Sequence, residues 1–310
     1  MVLFITGHCS RGCWYCPLAR ERKGRDVIFA NDREITTPKE AVDEACLMSA
    51  LGTSITGGEP LLVVDRIVEY TRALKDAFGS GHHIHLYSAM VPEEGTLHAL
   101  RGLVDEIRLH PPPEEWPMIL GSPYLEGIRQ AKACGFSAGF EVPALRGVEV
   151  LEPALSELDF LNLNELEWGE ISADEMRRRG FRLEDDLHNA VKHSSRWAHP
   201  LRHHKKVHFC PSRFKDSVQL RERLKRIARN TARNFDEVTT DGTVVYGVVE
   251  CIAEDQYCRS LMKKGHYQDC GDHLELSWKH LQRMAERMPG RKYIIERYPN
   301  GGIVVEMSPL

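Results

Sequence analysis

Three cysteines near the start of the chain are spaced so that they could hold one metal centre together. They are Cys9, Cys13 and Cys16, a C-x3-C-x2-C arrangement in the stretch His8-Cys9-Ser10-Arg11-Gly12-Cys13-Trp14-Tyr15-Cys16. Thiolates are soft ligands that suit iron–sulfur clusters and zinc. A closed structural zinc site takes four ligands, and His8 is the nearest candidate for the fourth. A cubane cluster held by three cysteines instead leaves one iron without a protein ligand, free to bind a small molecule. A second chemically suggestive stretch, Thr56-Gly57-Gly58-Glu59-Pro60, lies about forty residues further on.

These stretches sit at the ends of elements that repeat. Val2 to Ile5 is an apolar run that reads as a short buried strand. Pro17 to Arg33 reads as loop with one helical turn. Thr36-Thr37-Pro38-Lys39-Glu40 has the form of a helix start, carried to Ala50 and ended by Gly52. Ser54 to Thr56 is a strand, and Val64, Ile67, Val68, Thr71, Leu74 and Phe78 mark one face of the next helix. Further strands are expected at His83 to Ser88, Glu106 to His110, Phe136 to Val142 and Phe160 to Glu165, with helices at Glu93 to Leu103, Ser122 to Gly135 and Val150 to Leu158. Six strands alternating with helices argue for an α/β fold of parallel βαβ units. In such folds chemistry gathers at the carboxyl ends of the strands. Ser88, His110, Glu141, Asn162 and Asn164 stand at those ends, and Asn162 and Asn164 share one strand face.

The cysteine spacing, with Tyr15 before the third cysteine, resembles the C-x3-C-x-aromatic-C signature of the radical S-adenosylmethionine (radical SAM) superfamily, and Gly57-Gly58-Glu59-Pro60 resembles its GGEP element. The resemblance implies an open, partial (β/α)6 TIM-like barrel over residues 1–167. It implies that Cys9, Cys13 and Cys16 hold a [4Fe–4S] cluster. Gly57, Gly58, Glu59 and Pro60 would then place the amine of S-adenosylmethionine, with Tyr15 near the adenine and Ser88, His110, Glu141, Asn162 and Asn164 toward the ribose, the carboxylate or the substrate. A one-electron donor is implied, as is reductive cleavage of S-adenosylmethionine to a 5′-deoxyadenosyl radical that abstracts hydrogen from a substrate. The chain looks most like relatives of pyruvate formate-lyase activating enzyme, and the likeness is clear over the barrel.

Residues 168–310 are expected to form an α+β extension: helices near Ser172, at Asp185 to Trp197, Gln256 to Lys264 and Ser277 to Met288, a strand at Thr243 to Cys251, and a hairpin of Lys292 to Tyr298 with Ile303 to Met307. Within it, residues 192–234 carry a formal charge of +11 and five histidines, in a protein of net charge −4. Lys215 to Asn234 reads as a helix with a basic face, which attracts phosphate backbones or an acidic partner. The chain of 310 residues, 42% hydrophobic, can bury a sizeable core. No stretch of eighteen apolar residues is present, so no membrane span is expected. A cysteine loop starting at residue 9 leaves no room for a signal peptide, and nine cysteines then point to a reducing cytoplasm.

Cys46 and Cys134 read as helix core residues, whereas Cys210, Cys251, Cys258 and Cys270 could hold a second cluster or zinc. Their spacing lacks a compact C-x2-C pair, which favours free thiols. His204, His208 and Cys210 form an alternative metal set. Three functions follow as expectations: a radical SAM enzyme acting on RNA through 192–234, one acting on a protein or small metabolite, and a zinc-bearing nucleic-acid-binding module without catalysis. The first leads on the basic segment.

Overall fold

The structure is a computed structural model and describes residues 1–250 and 266–310. The chain divides into two compact units, Met1–Cys46 with Ala50–Asp216, and Leu47–Ser49 with Ser217–Leu310. No helix of the described residues is long and apolar enough to cross a membrane.

The first unit is built on a nine-stranded sheet of order β3-β2-β1-β4-β5-β6-β7-β8-β9. Its parallel part comprises β1 (Val2–Phe4), β4 (Gly52–Thr56), β5 (His83–Ser88), β6 (Glu106–Leu109), β7 (Ser137–Ala144), β8 (Leu161–Glu165) and β9 (Val207–Cys210). Helices α1 (Pro38–Leu47), α2 (Val64–Phe78), α3 (Glu94–Leu100) and α4 (Pro123–Ala133) fall between strands. This is the expected α/β partial barrel. Leu3, Ile55, Ile84, Leu86, Ile107, Leu109, Phe140, Val142, Leu161 and Leu163 are buried in the core. The alternate positions on β5 to β8, His85, Tyr87, Arg108, Glu141, Asn162 and Asn164, are polar, and period-two alternation puts them together on the opposite sheet face.

Local chemistry explains the helix starts. The Glu40 carboxylate accepts from the Thr36 and Thr37 amides at 2.9 and 3.0 Å, closing a capping box ahead of α1. Those hydrogen bonds hold its carboxyl well below the usual range, at about 2. Ser122 caps α4 by accepting from the Leu125 amide, with Pro123 in the first turn.

Several expectations change. Pro17 to Arg33 is not plain loop: β2 (Ile28–Ala30) and β3 (Arg33–Ile35) form an antiparallel hairpin, turned through Asn31 at φ 54° and Asp32. Asn31 then accepts from the Val2 amide and donates to Glu44, fastening the hairpin to β1 and α1. Gly52 does not end α1 but opens β4, where an added Cβ would meet the His83 carbonyl oxygen at 2.5 Å. Val148–Ser156 is 3-10 rather than α, consistent with Pro153 inside it. The alternation also continues past 167. After α5 (Ala173–Arg178) and α6 (Ser194–Trp197), the chain adds β9 beside β8, so the first compact unit closes at 216 rather than at the expected 167. Of the helix expected at Asp185 to Trp197, only α6 forms.

In the second unit, α7 (Leu220–Thr231) follows a wide helical turn at Phe214–Gln219. A six-stranded antiparallel sheet contains β10 (Glu237–Val238), β11 (Val244–Glu250), β12 (Tyr267–Asp269), β13 (Leu274–Leu276), β14 (Arg291–Arg297) and β15 (Val304–Pro309), with α8 (Trp278–Met284) against β11. The expected C-terminal hairpin is present as β14 and β15. The helix expected at Gln256 to Lys264 lies outside the described residues.

Candidate active site

A cavity of about 260 Å3 opens in the first unit, where the cysteine loop meets the carboxyl ends of the parallel strands. Cys9, Cys13, Cys16 and Tyr15 line it from the loop, Gly57, Gly58 and Pro60 from the end of β4, and Ser88, His110, Glu141 and Asn164 from the ends of β5 to β8. The structure thus brings together most of the residues singled out in the sequence. Glu59 and Asn162 stand behind the wall.

The loop is held on both flanks. Gly7 donates to the Arg25 carbonyl and accepts from the Gly24 amide, both at 2.8 Å. Arg11 reaches Tyr124, whose hydroxyl donates to the Ala89 carbonyl at 2.8 Å, so the loop is pinned to α4 and to the end of β5. Trp14 stacks on Phe181 at 5.1 Å with the Arg179 guanidinium over its ring. An added Cβ on Gly169 would meet the Cys16 carbonyl oxygen at 2.6 Å, so the chain after β8 also packs on the loop. Buried Tyr15 is 2.9 Å from His110 Nε2, and His110 Nδ1 is 2.8 Å from the Glu141 carbonyl oxygen. A carbonyl can only accept, so Nδ1 carries the proton and Tyr15 donates to Nε2. Burial pushes the imidazole down to about 4, which keeps it neutral and the pair intact at neutral pH.

The three thiols fit an iron–sulfur cluster by their chemistry. All are partly exposed, and Cys9 Sγ accepts from the Arg11 amide at 3.4 Å, the type of N–H···S contact that tunes such clusters. Burial pushes the Cys13 thiol up; Tyr15 opposes this, and the like charges of Cys16 and Cys9 add to it. His8 is exposed and does not line the cavity.

The glycines at 57 and 58 are required by backbone contact. An added Cβ would lie 2.6 Å from the Thr6 carbonyl oxygen at position 57, and 2.3 Å from that of His8 at position 58. The Gly58 and Glu59 amides donate to those same two carbonyls at 2.7 Å. The turn after β4 is thereby laced to the start of the cysteine loop. Gly58→Ala should cost roughly 1–3 kcal/mol, the usual range for overpacking against atoms that cannot yield. Gly12→Ala, within the loop but with open space around it, should be nearly neutral. Urea unfolding of the two variants checks this, and equal midpoints would contradict it.

Glu59 does not face the cavity as expected. It is 1% exposed, and its carboxylate accepts four hydrogen bonds from the protein. Oε1 takes the Leu61 amide at 3.0 Å and Ser88 Oγ at 2.8 Å; Oε2 takes the Ala89 and Met90 amides at 2.8 and 3.2 Å. The Leu61 and Ala89 amides are its undivided donors, since the Ser88 hydroxyl also reaches the Met90 carbonyl at 2.8 Å and the Met90 amide also reaches Ser88 Oγ at 2.9 Å. Glu59 is a bracket between the ends of β4 and β5 rather than an open ligand.

Glu141 is a second bracket. Asn164 and Asn162 donate to it at 2.6 and 3.1 Å, Arg108 at 2.8 Å, and Tyr87 closes the set. Burial pushes its carboxyl up to about 7, against the two amides and the Lys215 charge, which lower it. The Arg108 guanidinium favours the ionised form further. Asn162 therefore acts through Glu141. Arg11, Lys23, Tyr87, Glu165, Glu167 and Lys215 also line the cavity and were not singled out in the sequence. For Tyr87 a signal existed, because it falls on the polar alternation of its strand.

The remaining metal candidates separate. His204 lies 2.8 Å from Glu152 and its ring 4.2 Å from that of His203, rather than joining Cys210. Cys210 belongs to the first unit and Cys270 to the second, while Cys251 and Cys258 lie outside the described residues. The basic segment is split between the two units at 216 and 217. Of its thirteen cations, Lys206 donates to the Leu155 and Leu158 carbonyls, Lys215 pairs with Glu167, Lys225 with Glu222, and Arg233 with Asp236 and Glu275.

Comparison with known proteins adds three findings. Residues 242–310 match a family described as a domain of unknown function, DUF8061. A Methanocaldococcus jannaschii protein, carrying the provisional name glycyl-radical enzyme activating enzyme, is 38% identical over 279 residues, 82% of this chain and 72% of that one. Among solved structures, Streptococcus suis SuiB bound to S-adenosylmethionine shares 12% identity over 71% of this chain at a TM-score of 0.45, and a second structure of SuiB shares 12% over 71% at 0.44. The chain spans about half the length of SuiB, 52% and 51% in the two structures. Identity of this level with the archaeal protein, over most of both chains, places the sequence: it belongs to the radical SAM superfamily of enzymes, for which a [4Fe–4S] cluster and S-adenosylmethionine are the implied cofactors.

Proposed function

We propose that this radical SAM enzyme acts on a protein, in the manner of a glycyl-radical activating enzyme, with Cys9, Cys13 and Cys16 as the ligands of its cluster. The observation that carries the reading is the shared cavity: three thiols and the Gly57-Gly58 turn face one space at the strand ends. The bound cofactors would supply the reductive cleavage of S-adenosylmethionine there. The chain's own residues do the positioning. Main-chain carbonyls of Gly57 and Gly58 can accept from an amine at the wall. Tyr15, fixed by His110, presents an apolar ring face, and Glu141 holds Asn164 at the cavity. Arg11 and Lys23 offer cations to a carboxylate. The loop and the strand ends together shield the space from water.

The protein substrate is favoured over RNA by two observations. The archaeal relative carries an activating-enzyme name. Of the thirteen cations of 192–234, Lys206, Lys215, Lys225 and Arg233 are held by carbonyls or carboxylates of the chain itself. Formation of 5′-deoxyadenosine by the reduced, iron-loaded enzyme should be stimulated by an extract of the source cell. Protease treatment of the extract should abolish the stimulation and nuclease treatment should not, with an organic radical then detectable on a protein by electron paramagnetic resonance. Stimulation lost to nuclease alone would overturn the reading and restore RNA.

A further inference from the structure

The turn between β12 and β13 reads Cys270-Gly271-Asp272-His273. The Cys270 amide donates to the His273 carbonyl at 3.0 Å, and Gly271 takes φ 92°. Asp269 pairs with Leu274, so Cys270 and His273 are the next facing pair in an antiparallel ladder, with their side chains on one side. Glu275 lies two residues beyond His273 on the same face. The Cys270 sulfur, a His273 ring nitrogen and a Glu275 oxygen all lie within 4.8 Å of one another.

Two of the three groups are held by outer partners. Asp272 Oδ1 is 2.6 Å from His273 Nδ1. An ionised carboxylate only accepts, so Nδ1 carries a proton, and Nε2 faces Glu275 Oε1 at 3.5 Å, where either a second proton or a metal ion joins the two. The other Glu275 oxygen is taken by Arg233, itself fixed by Asp236 at 2.8 Å. An imidazole nitrogen and a carboxylate oxygen thus face each other beside a thiol, and a metal ion can take the place of the second imidazole proton. A carboxylate behind a ligating histidine is the usual support of a metal site.

We propose that Cys270, His273 and Glu275 bind a divalent zinc ion in the C-terminal unit. One sulfur, one nitrogen and one oxygen donor make a borderline set that suits zinc and not magnesium or calcium. Binding replaces the Cys270 S–H bond with S–Zn and releases the proton to solvent. The fourth position is left for water or a further donor. The ion would clip a hairpin whose two strands have three residues each, at the edge of the antiparallel sheet.

The test needs no catalysis. Full-length, iron-loaded protein purified without chelators should carry about one zinc per chain by elemental analysis. Zinc should disappear in Cys270→Ser and in His273→Gln while iron stays. Asp272→Asn should weaken zinc by roughly 10–100-fold in chelator competition. X-ray absorption at the zinc edge of the unsubstituted protein covers the case of misfolded variants: a single sulfur at about 2.3 Å among nitrogen and oxygen ligands is expected. Absence of zinc, a site without sulfur, or zinc unchanged in Cys270→Ser would each overturn the proposal.

Discussion

Replacing Cys9, Cys13 or Cys16 by alanine is expected to empty the site of iron and end S-adenosylmethionine cleavage, while the fold survives. Reconstituted wild-type protein should hold about four iron atoms per chain, as one cubane does. Each variant should fall close to none, and 5′-deoxyadenosine should fall to background. The three sulfurs are partly exposed and lie in a loop fixed by other residues: Gly7 by backbone bonds, Arg11 by Tyr124, and Trp14 by Phe181. Unfolding stability should accordingly change by only about 1 kcal/mol. Cys46→Ala, at an exposed helix position outside the cavity, is the control and should keep full iron. Normal cleavage by any one of the three loop variants would remove that cysteine from the ligand set.

What could be read in the sequence was what short-range spacing encodes. The C-x3-C-x2-C loop, the glycine turn and six alternating strands needed only local pattern, and Asn162 with Asn164 followed from period two. Ranking strand ends by position alone was less informative than ranking by face. Ser88 is the last residue of β5 and bonds inward to Glu59, whereas its neighbour Tyr87 bonds to Glu141. The hairpin at 28–35 was hidden because its turn is Asn-Asp rather than a glycine pair, with Asn31 taking the left-handed conformation. β9 was hidden by its setting, four residues inside a strongly basic run whose charge suggested a surface. Some of those charges have partners distant in sequence, as with Lys215 and Glu167 or Arg233 and Glu275, which composition does not show. The same limit explains Glu59, whose motif marks a place in the chain and not which way the carboxylate points.

That direction has a large expected consequence. Glu59→Ala would leave the Leu61 and Ala89 amides without their acceptor in a place almost sealed from water, while the Ser88 hydroxyl keeps the Met90 carbonyl and the Met90 amide keeps Ser88 Oγ. A buried donor left unsatisfied costs about 1–3 kcal/mol, so with two of them the variant should lose roughly 2 kcal/mol or more. Glu59→Gln keeps one oxygen and turns an amide donor toward donors on the other side. It should be damaged less, because Ser88 Oγ can accept as well as donate. Stability should therefore rank wild type, Gln, Ala. S-adenosylmethionine binding, measured well below each midpoint, should change only a few-fold in the Gln variant, since the buried carboxylate does not line the cavity. A carboxylate that met the amine directly would give the reverse: an unshifted unfolding midpoint and binding lost with the charge. Thermal unfolding together with calorimetric titration on Glu59→Gln separates the two, and an unchanged midpoint with lost binding would return Glu59 to the ligand set.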